Sequence, residues 1–393
     1  MLLQRLYVKK RRKIPLTLEF LLVKIFMFFW YFFHGNKKIK LTDSKRILVI
    51  RSNQLGYAVA ASAFISALGD FAQHAEIDVA ASKCNKDAFN WIPGVNQIII
   101  EPPGSFRRLL MYWSLRGKYD FVFQTLLDEY HFSKILGARI AAWKGALVMR
   151  KRGSPLDSLA DYSTWMPIGG YIGKLMALLR PLVGIPVAEL IKKYPTHNLI
   201  IPKNYMQRAE QSILAKRLAR GRYVALNISA RESFRSLGIS QSIEIAQALN
   251  AHGHQVALFY APSDKERAQQ VLTLCPSIHD LSSSELGISM ASVGMAALYV
   301  GADTGTVHFA AAAGVPSVVI FANRAKPEIW SPYGVPFISI HALTDMKVSQ
   351  VPVNQVVAAA LRLLDGDRSK IIEYANALEN FGGPVSDKLV AQP

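Results

Sequence analysis

The chain has 393 residues, room for two domains, and 51% of them are hydrophobic, enough for sizeable cores. Its two cysteines, Cys84 and Cys275, lie far apart, give neither metal-site spacing nor a disulfide framework, and fit a reduced cytosolic setting. The net charge is +18, and residues 1–50 hold 12 Lys/Arg against two acids. Basic charge clustered beside an apolar run points to an anionic membrane surface. Nucleic acid is not the expected partner, because no motif for binding it is present.

Residues 1–40 read as a membrane-associating add-on. Lys9 to Lys13 is a basic block, and Leu16 to Phe33 is apolar at 15 of 18 positions, with Thr17, Glu19 and Lys24 as exceptions. As a helix this run would be roughly 27 Å long, marginal for a bilayer. Lys37, Lys38 and Lys40 follow it, and no small-residue cleavage site does, which argues against a cleaved signal peptide. Three readings fit the run. An interfacial anchor helix is preferred, because the aromatic density from Phe26 to Phe33 suits the headgroup boundary. A single span would place Glu19 and Lys24 in the bilayer at a cost. The third is an apolar helix packed on the protein itself.

Residues 41–190 read as the first domain. Arg46 to Arg51, Glu76 to Ala80, residues 92–100 and Lys118 to Gln124 are four strand-like runs. A small-residue helix from Ala58 to Leu68 follows the first of them. Strands alternating with helices imply a doubly wound parallel sheet. The loop after the first strand is Ser52-Asn53-Gln54-Leu55-Gly56-Tyr57. Asp128 and Glu129 follow the fourth strand and are either a solvated loop pair or acid–base groups. Arg150-Lys151-Arg152 is a loop cluster that could meet an anionic acceptor. Gly169, Gly170 and Gly173 do not follow a strand in dinucleotide-fingerprint register. Lys174 to Leu182 reads as helix, and about 185–200 as the interdomain linker.

Residues 191–365 read as the second domain. Helices are expected at Asn204 to Arg220, Ser240 to Asn250 and Asp264 to Leu274, and strands at Tyr223 to Ile228 and Gln255 to Tyr260. His252 and His254 lie in a turn and lack a third metal ligand. Ala296 to Val300 is another strand, and Asp303-Thr304-Gly305-Thr306 a polar turn after it. A helix over Val307 to Ala313 ends at Gly314, before Pro316 and a strand from Ser317 to Phe321. Residues 366–393 read as a tail with a helix near 368–380. In the strand–turn–helix–strand unit, the helix N-terminus sits at the carboxyl end of a strand, where its free amides favour a phosphate.

Asp303-Thr304-Gly305, His308, Ala310 to Ala312, Gly314, Pro316, Phe321, Trp330, Pro332, Tyr333 and Gly334 resemble the signature of glycosyltransferase family 9, which contains the ADP-heptose:lipopolysaccharide heptosyltransferases. The resemblance implies GT-B architecture: two Rossmann-like α/β domains facing a cleft, here with an added N-terminal apolar helix. It implies an inverting transfer of a heptose-like sugar from a nucleoside diphosphate to a lipopolysaccharide or other cell-envelope glycan. No metal and no cofactor are expected, the nucleotide-sugar being a substrate. Donor-site candidates are Asp303, Thr304, Gly305, Thr306, His308, Arg235, Arg231 and Ser229; the acceptor-side loop offers Asn53, Gln54 and Gly56. The family's loop usually reads L-G-D or M-G-D, its Asp serving as general base, whereas this chain has Leu55-Gly56-Tyr57. A phenol ionises near pH 10 and a carboxyl near 4, so Tyr57 is no simple replacement. Asp128 and Glu129 are alternative bases. Two other readings follow: a catalytically impaired, nucleotide-binding scaffold at the membrane, and a nucleotide-sugar epimerase, whose carboxylate and His pattern is not seen. The expected location is the cytoplasmic face of the inner membrane, with an anionic glycolipid or glycan as acceptor.

Overall fold

A computed structural model describes residues 40–52, 54–125, 132–149, 162–164, 170–322, 325, 327–343, 347–366 and 372–376. The apolar run at 16–33, Asn53, Asp128, Glu129 and the cluster at 150–152 lie outside the described residues.

The first half is built on β1 (Arg46–Ile50), a β-branched run whose last four side chains are all buried. Such a strand needs cover on both faces and takes the middle of a parallel sheet. After it come α1 (Leu55–Phe71), β2 (Glu76–Ala81), α2 (Lys86–Phe89), β3 (Val95–Ile100) and α3 (Ser105–Ser114). β4 (Tyr119–Gln124), α4 (Phe132–Ala141), β5 (Ala142–Met149) and β6 (Tyr162–Thr164) complete a six-stranded parallel sheet ordered β3-β2-β1-β4-β5-β6. The short helices α5 (Gly170–Ala177), α6 (Arg180–Val183) and α7 (Val187–Lys193) follow. The expected linker at 185–200 is thus partly helical: Val187 and Leu190 bury themselves in the first core, which fixes a helix there.

The second half starts with α8 (Lys203–Ala215) and β7 (Tyr223–Asn227), then α9 (Ile239–Ala251), β8 (Gln255–Phe259), α10 (Lys265–Leu274), β9 (Ile278–Asp280) and α11 (Leu286–Gly294). β10 (Leu298–Ala302), α12 (Gly305–Ala312), β11 (Ser317–Phe321), α13 (Pro327–Trp330), β12 (Phe337–His341), α14 (Val353–Asp365) and β13 (Ile372–Asn376) close it. This sheet is also parallel, ordered β13-β12-β11-β10-β7-β8-β9. The expected tail helix near 368–380 is corrected: residues 372–376 are a strand paired along β12. β12 would otherwise present an open row of N–H and C=O groups, and pairing that edge outweighs the helical bias of the local sequence.

Each sheet reverses its strand order once, between β1 and β4 and between β7 and β10. In open parallel sheets, ligands settle at the carboxyl ends of the strands flanking that reversal. The two helices that start there, α1 and α12, are apolar all round, as elements buried on several sides are. They pack against each other. Phe309 of α12 and Met290 of α11 join the apolar cluster under the first sheet, so one core runs across both halves.

Candidate active site

The second sheet's reversal point carries the expected donor turn. Asp303 follows β10 and its amide donates to Ile320 O. Thr304 is the N-cap of α12, yet its hydroxyl does not cap the helix. It accepts instead from Asn227 Nδ2 on β7 at 3.3 Å and lies 3.5 Å from the Tyr299 hydroxyl. The first-turn amides therefore keep no side-chain cap and, with the helix dipole, form an anion-favouring end. Beside the turn, Arg235 Nη2 pairs with Asp303 Oδ2 at 2.9 Å and also donates to the Asp303 carbonyl, while Nη1 pairs with Glu232 at 3.1 Å. Burial outweighs that pairing and raises the Asp303 carboxyl to about 6. Ser229 is spent on structure: its hydroxyl donates to Asp264 at 2.5 Å and accepts from the Ala261 amide at 2.8 Å. Arg231 is exposed.

The first sheet's reversal point meets this turn directly. A Cβ added to Gly56 would lie 2.8 Å from His308 Cδ2 and 3.0 Å from Gly305 Cα; one added to Gly305 would lie 3.0 Å from the Gly56 amide. Only two glycines let the N-termini of α1 and α12 approach so closely. Gln54 caps α1 without a side-chain hydrogen bond, so both helix ends at the junction are uncapped. His308 is buried behind Gly56, and burial lowers its pKa to about 4. His197 is buried with its Nδ1 3.4 Å from Ser62 Oγ, and burial, aided by His308, lowers it to about 3. Both imidazoles are neutral at pH 7.

Tyr57 points into an aromatic group. Its ring centroid is 4.8 Å from that of Trp330, edge-on, and 5.7 Å from that of Tyr171; Trp330 and Tyr171 stack at 4.7 Å and 22°. Arg51, the last residue before the loop, is 1% exposed, and its guanidinium carbon stands 4.0 Å over the Tyr57 ring and 4.7 Å over Tyr171. One guanidinium nitrogen donates to Thr125 O at 2.5 Å, and the Tyr171 side chain is a further partner of the cation. Burial lowers the Arg51 pKa, and the two ring faces supply much of what water would give the cation. A second charged group lies behind the loop. Glu101, just past β3, accepts from Ser52 Oγ and Tyr112 OH and pairs with Lys134 and Arg108, each at 3.4 Å.

The structure thus packs Gly56 against Gly305 and His308, sets Tyr57 in the adjoining aromatic group, and gathers Asp303, Thr304 and Arg235 at the start of α12, whose first turn holds Thr306. It leaves Arg231 on the surface and Ser229 inside a hydrogen-bond network. Sequence reading missed Tyr171 and His197, and left open whether Arg51, close to Tyr57 in the chain, is also close in space. For Arg51 a signal existed: a cation closing a fully apolar strand must find a partner inside.

Residues 170–350 match the model of glycosyltransferase family 9 (heptosyltransferase). No curated protein matches the chain. Among solved structures, a family 9 glycosyltransferase from Veillonella parvula superposes with a TM-score of 0.70 at 18% identity, covering 83% of this chain and 98% of its own. E. coli ADP-heptose lps heptosyltransferase II gives 0.65 at 19% identity, with 81% and 98% covered. E. coli heptosyltransferase WaaC with ADP gives 0.60 at 16% identity, with 81% and 99% covered. Residues 170–350 are thus similar to the family 9 glycosyltransferases, and the fold around them is the fold of those solved structures.

Proposed function

We propose that the chain moves a heptose-like sugar from a nucleoside diphosphate to a lipopolysaccharide or related cell-envelope glycan, with inversion and without a metal. The observation that carries this reading is the meeting of two uncapped helix N-termini, α1 and α12, at Gly56 and Gly305. Two positive dipole ends in contact oppose each other unless an anion lies beside them. A diphosphate on the 304–306 amides is that anion, with Arg235 as the nearby cation. The neighbours' names point the same way, since one structure holds ADP and another ADP-2-deoxy-2-fluoro heptose. Residues 41–190 would be the acceptor side and 191–365 the donor side.

In the transfer, the acceptor hydroxyl oxygen attacks the anomeric carbon. The bond from that carbon to the diphosphate oxygen breaks, and the nucleoside diphosphate leaves with the electron pair. The hydroxyl proton must pass to a base. Tyr57 stands where the family motif has its Asp, with the Arg51 guanidinium over its ring. The chain would work at the inner face of the inner membrane, held there by residues 1–40; among the described residues no helix is long and apolar enough to cross a membrane.

A second reading is favoured by one observation: Trp330 and Tyr171 close over Tyr57, so the acceptor's place is partly filled by rings. On that reading the chain binds nucleotide but does not turn over. A panel of nucleotide-sugars decides between these. The donor should raise Tm, since ligand at a hundred times Kd adds about 2.7 kcal/mol. Transfer to a glycolipid acceptor then supports the enzyme, and stabilisation without transfer under any pairing supports the scaffold.

A further inference from the structure

We propose that α3 is a membrane-docking face on the first domain, distinct from residues 1–40, with an anionic bilayer surface as its partner. The helix turns Phe106, Leu110 and Trp113 outward, 73%, 54% and 54% exposed. Their spacing of four and three residues sets them in one stripe. Ile200, Leu214, Phe234 and Leu274 are also exposed but lie one to an element or loop, as surface apolar residues commonly do. The opposite side of α3 is anchored, with Tyr112 fully buried and Met111 and Leu115 half-buried against the first sheet.

Charge selects the partner. Residues 102–119 contain Arg107, Arg108, Arg116 and Lys118 and no acid. Arg108 is turned inward to Glu101, whereas Arg107, Arg116 and Lys118 are exposed around the stripe. Arg116 lies 5.3 Å over the Trp113 ring, which keeps a cation at the level of the indole. An apolar stripe with an aromatic pair and a basic rim is what the headgroup boundary of an anionic bilayer accepts, with apolar rings at acyl depth and cations among the phosphates.

The face is also tied to the cleft. α3 starts just past the carboxyl end of β3, on the edge of the sheet that carries the Ser52 loop. Arg108 and Tyr112 of α3 hold Glu101, which takes the Ser52 hydroxyl. Docking through α3 therefore sets the acceptor-side loop against the bilayer, where a glycolipid headgroup would stand. The docking itself does not depend on sugar transfer.

The test uses the full chain carrying Trp30→Phe and vesicles of phosphatidylcholine and phosphatidylglycerol, part of the lipid brominated near the headgroup end of its chains. Quenching of tryptophan emission is expected, and Trp113→Phe should remove most of it while the protein stays bound. Phe106→Ser with Leu110→Ser should lower the quenching on the order of tenfold in lipid concentration, with Tm unchanged because both side chains are exposed. Arg107→Gln with Arg116→Gln should weaken it on anionic vesicles, as added salt should. Equal quenching with and without Trp113 overturns the proposal. So does a change in oligomeric mass or Tm in the Phe106/Leu110 variant with quenching intact, because the stripe would then be covered by a second copy or by this chain's own apolar segment.

Discussion

The two helices that meet at the cleft start alike and are surrounded differently. α12 begins in a polar setting, where Arg235 donates to Asp303 and Asn227 donates to the Thr304 hydroxyl. α1 begins among rings, with Tyr57, Tyr171 and Trp330 around the Arg51 guanidinium. Both sit at the strand-order reversal of a parallel sheet, so topology made two equivalent ligand positions. Side chains then gave one a polar surround and made the other a cation–aromatic cluster. The lesson is that the fold fixes where chemistry occurs and the first turn after the strand fixes which chemistry.

Acid should break the comparison most strongly. His308 titrates at about 4 and His197 at about 3 in the folded chain, against 6.5 as the ordinary value. Each prefers to be neutral when buried, so its contribution is complete above pH 6.5 and is lost as pH falls towards 4. For His308 the loss is about 3 kcal/mol at 1.36 kcal/mol per unit. Asp303, raised from 3.8 to about 6, has the opposite sign: its contribution is complete below pH 4 and is lost as pH rises through 6. Urea unfolding between pH 7 and 4.5 should show stability falling with acid in the wild type, less steeply in His308→Gln and more steeply in Asp303→Asn. Parallel curves for all three would mean that these groups are solvated.

Joining the two regions by force comes next. Gly305→Val would drive a side chain into the Gly56 backbone, an overpacking cost of about 1–3 kcal/mol. Part of it would be relieved by separation of the two halves. The expected result is a lower Tm, with nucleotide affinity reduced more than the Tm alone explains. Unchanged affinity would place the phosphate away from α12.

How much of this was legible in the sequence follows from range. β1, β2, β4, β7, β8 and β11 were readable because buried parallel strands are β-branched runs. The turn before α12 was readable because Asp303 to His308 lie in one local string. The strand at 372–376 was misread because Ile372 to Asn376 also suits a helix and only the β12 edge decides. The cluster at Tyr57 was invisible because Tyr171 and Trp330 come from distant segments, and Trp330 joins only after both halves pack. Asp303–Arg235 likewise joins two separate loops.

A sharper test separates the pair's charge from its geometry. Arg235→Ala should weaken nucleoside diphosphate binding by about 1.5–3 kcal/mol, the worth of a charge-assisted contact, while Arg235→Lys should keep part of it. By removing the cation that holds Asp303 down, Arg235→Ala should also move the pH dependence of binding to higher pH. Calorimetry at pH 6 and 8 measures both effects, and identical affinities would assign the phosphate to other groups.

The smallest effect is expected on the aromatic side. Trp330→Leu removes the stack on Tyr171 and the edge contact to Tyr57, about 0.5–1.5 kcal/mol beyond area. If the rings restrict acceptor entry, the rate should rise with Trp330→Leu as stability falls. If Tyr57 works as the base, Tyr57→Phe should abolish transfer and Trp330→Leu should slow it. Rates of both variants with a fixed donor and acceptor tell the two apart.

The strand at Ile372–Asn376 has a consequence for biogenesis. It is the outermost strand of the second sheet and among the last described residues to be synthesised. Every residue of the Gly56–Gly305 junction is made before it, and without it the edge at Phe337–His341 is unpaired. An open parallel edge recruits whatever strand arrives, from the same chain or another. A released chain ending at Gly366 would therefore keep the Gly56–Gly305 junction and still be prone to associate with its neighbours through β12.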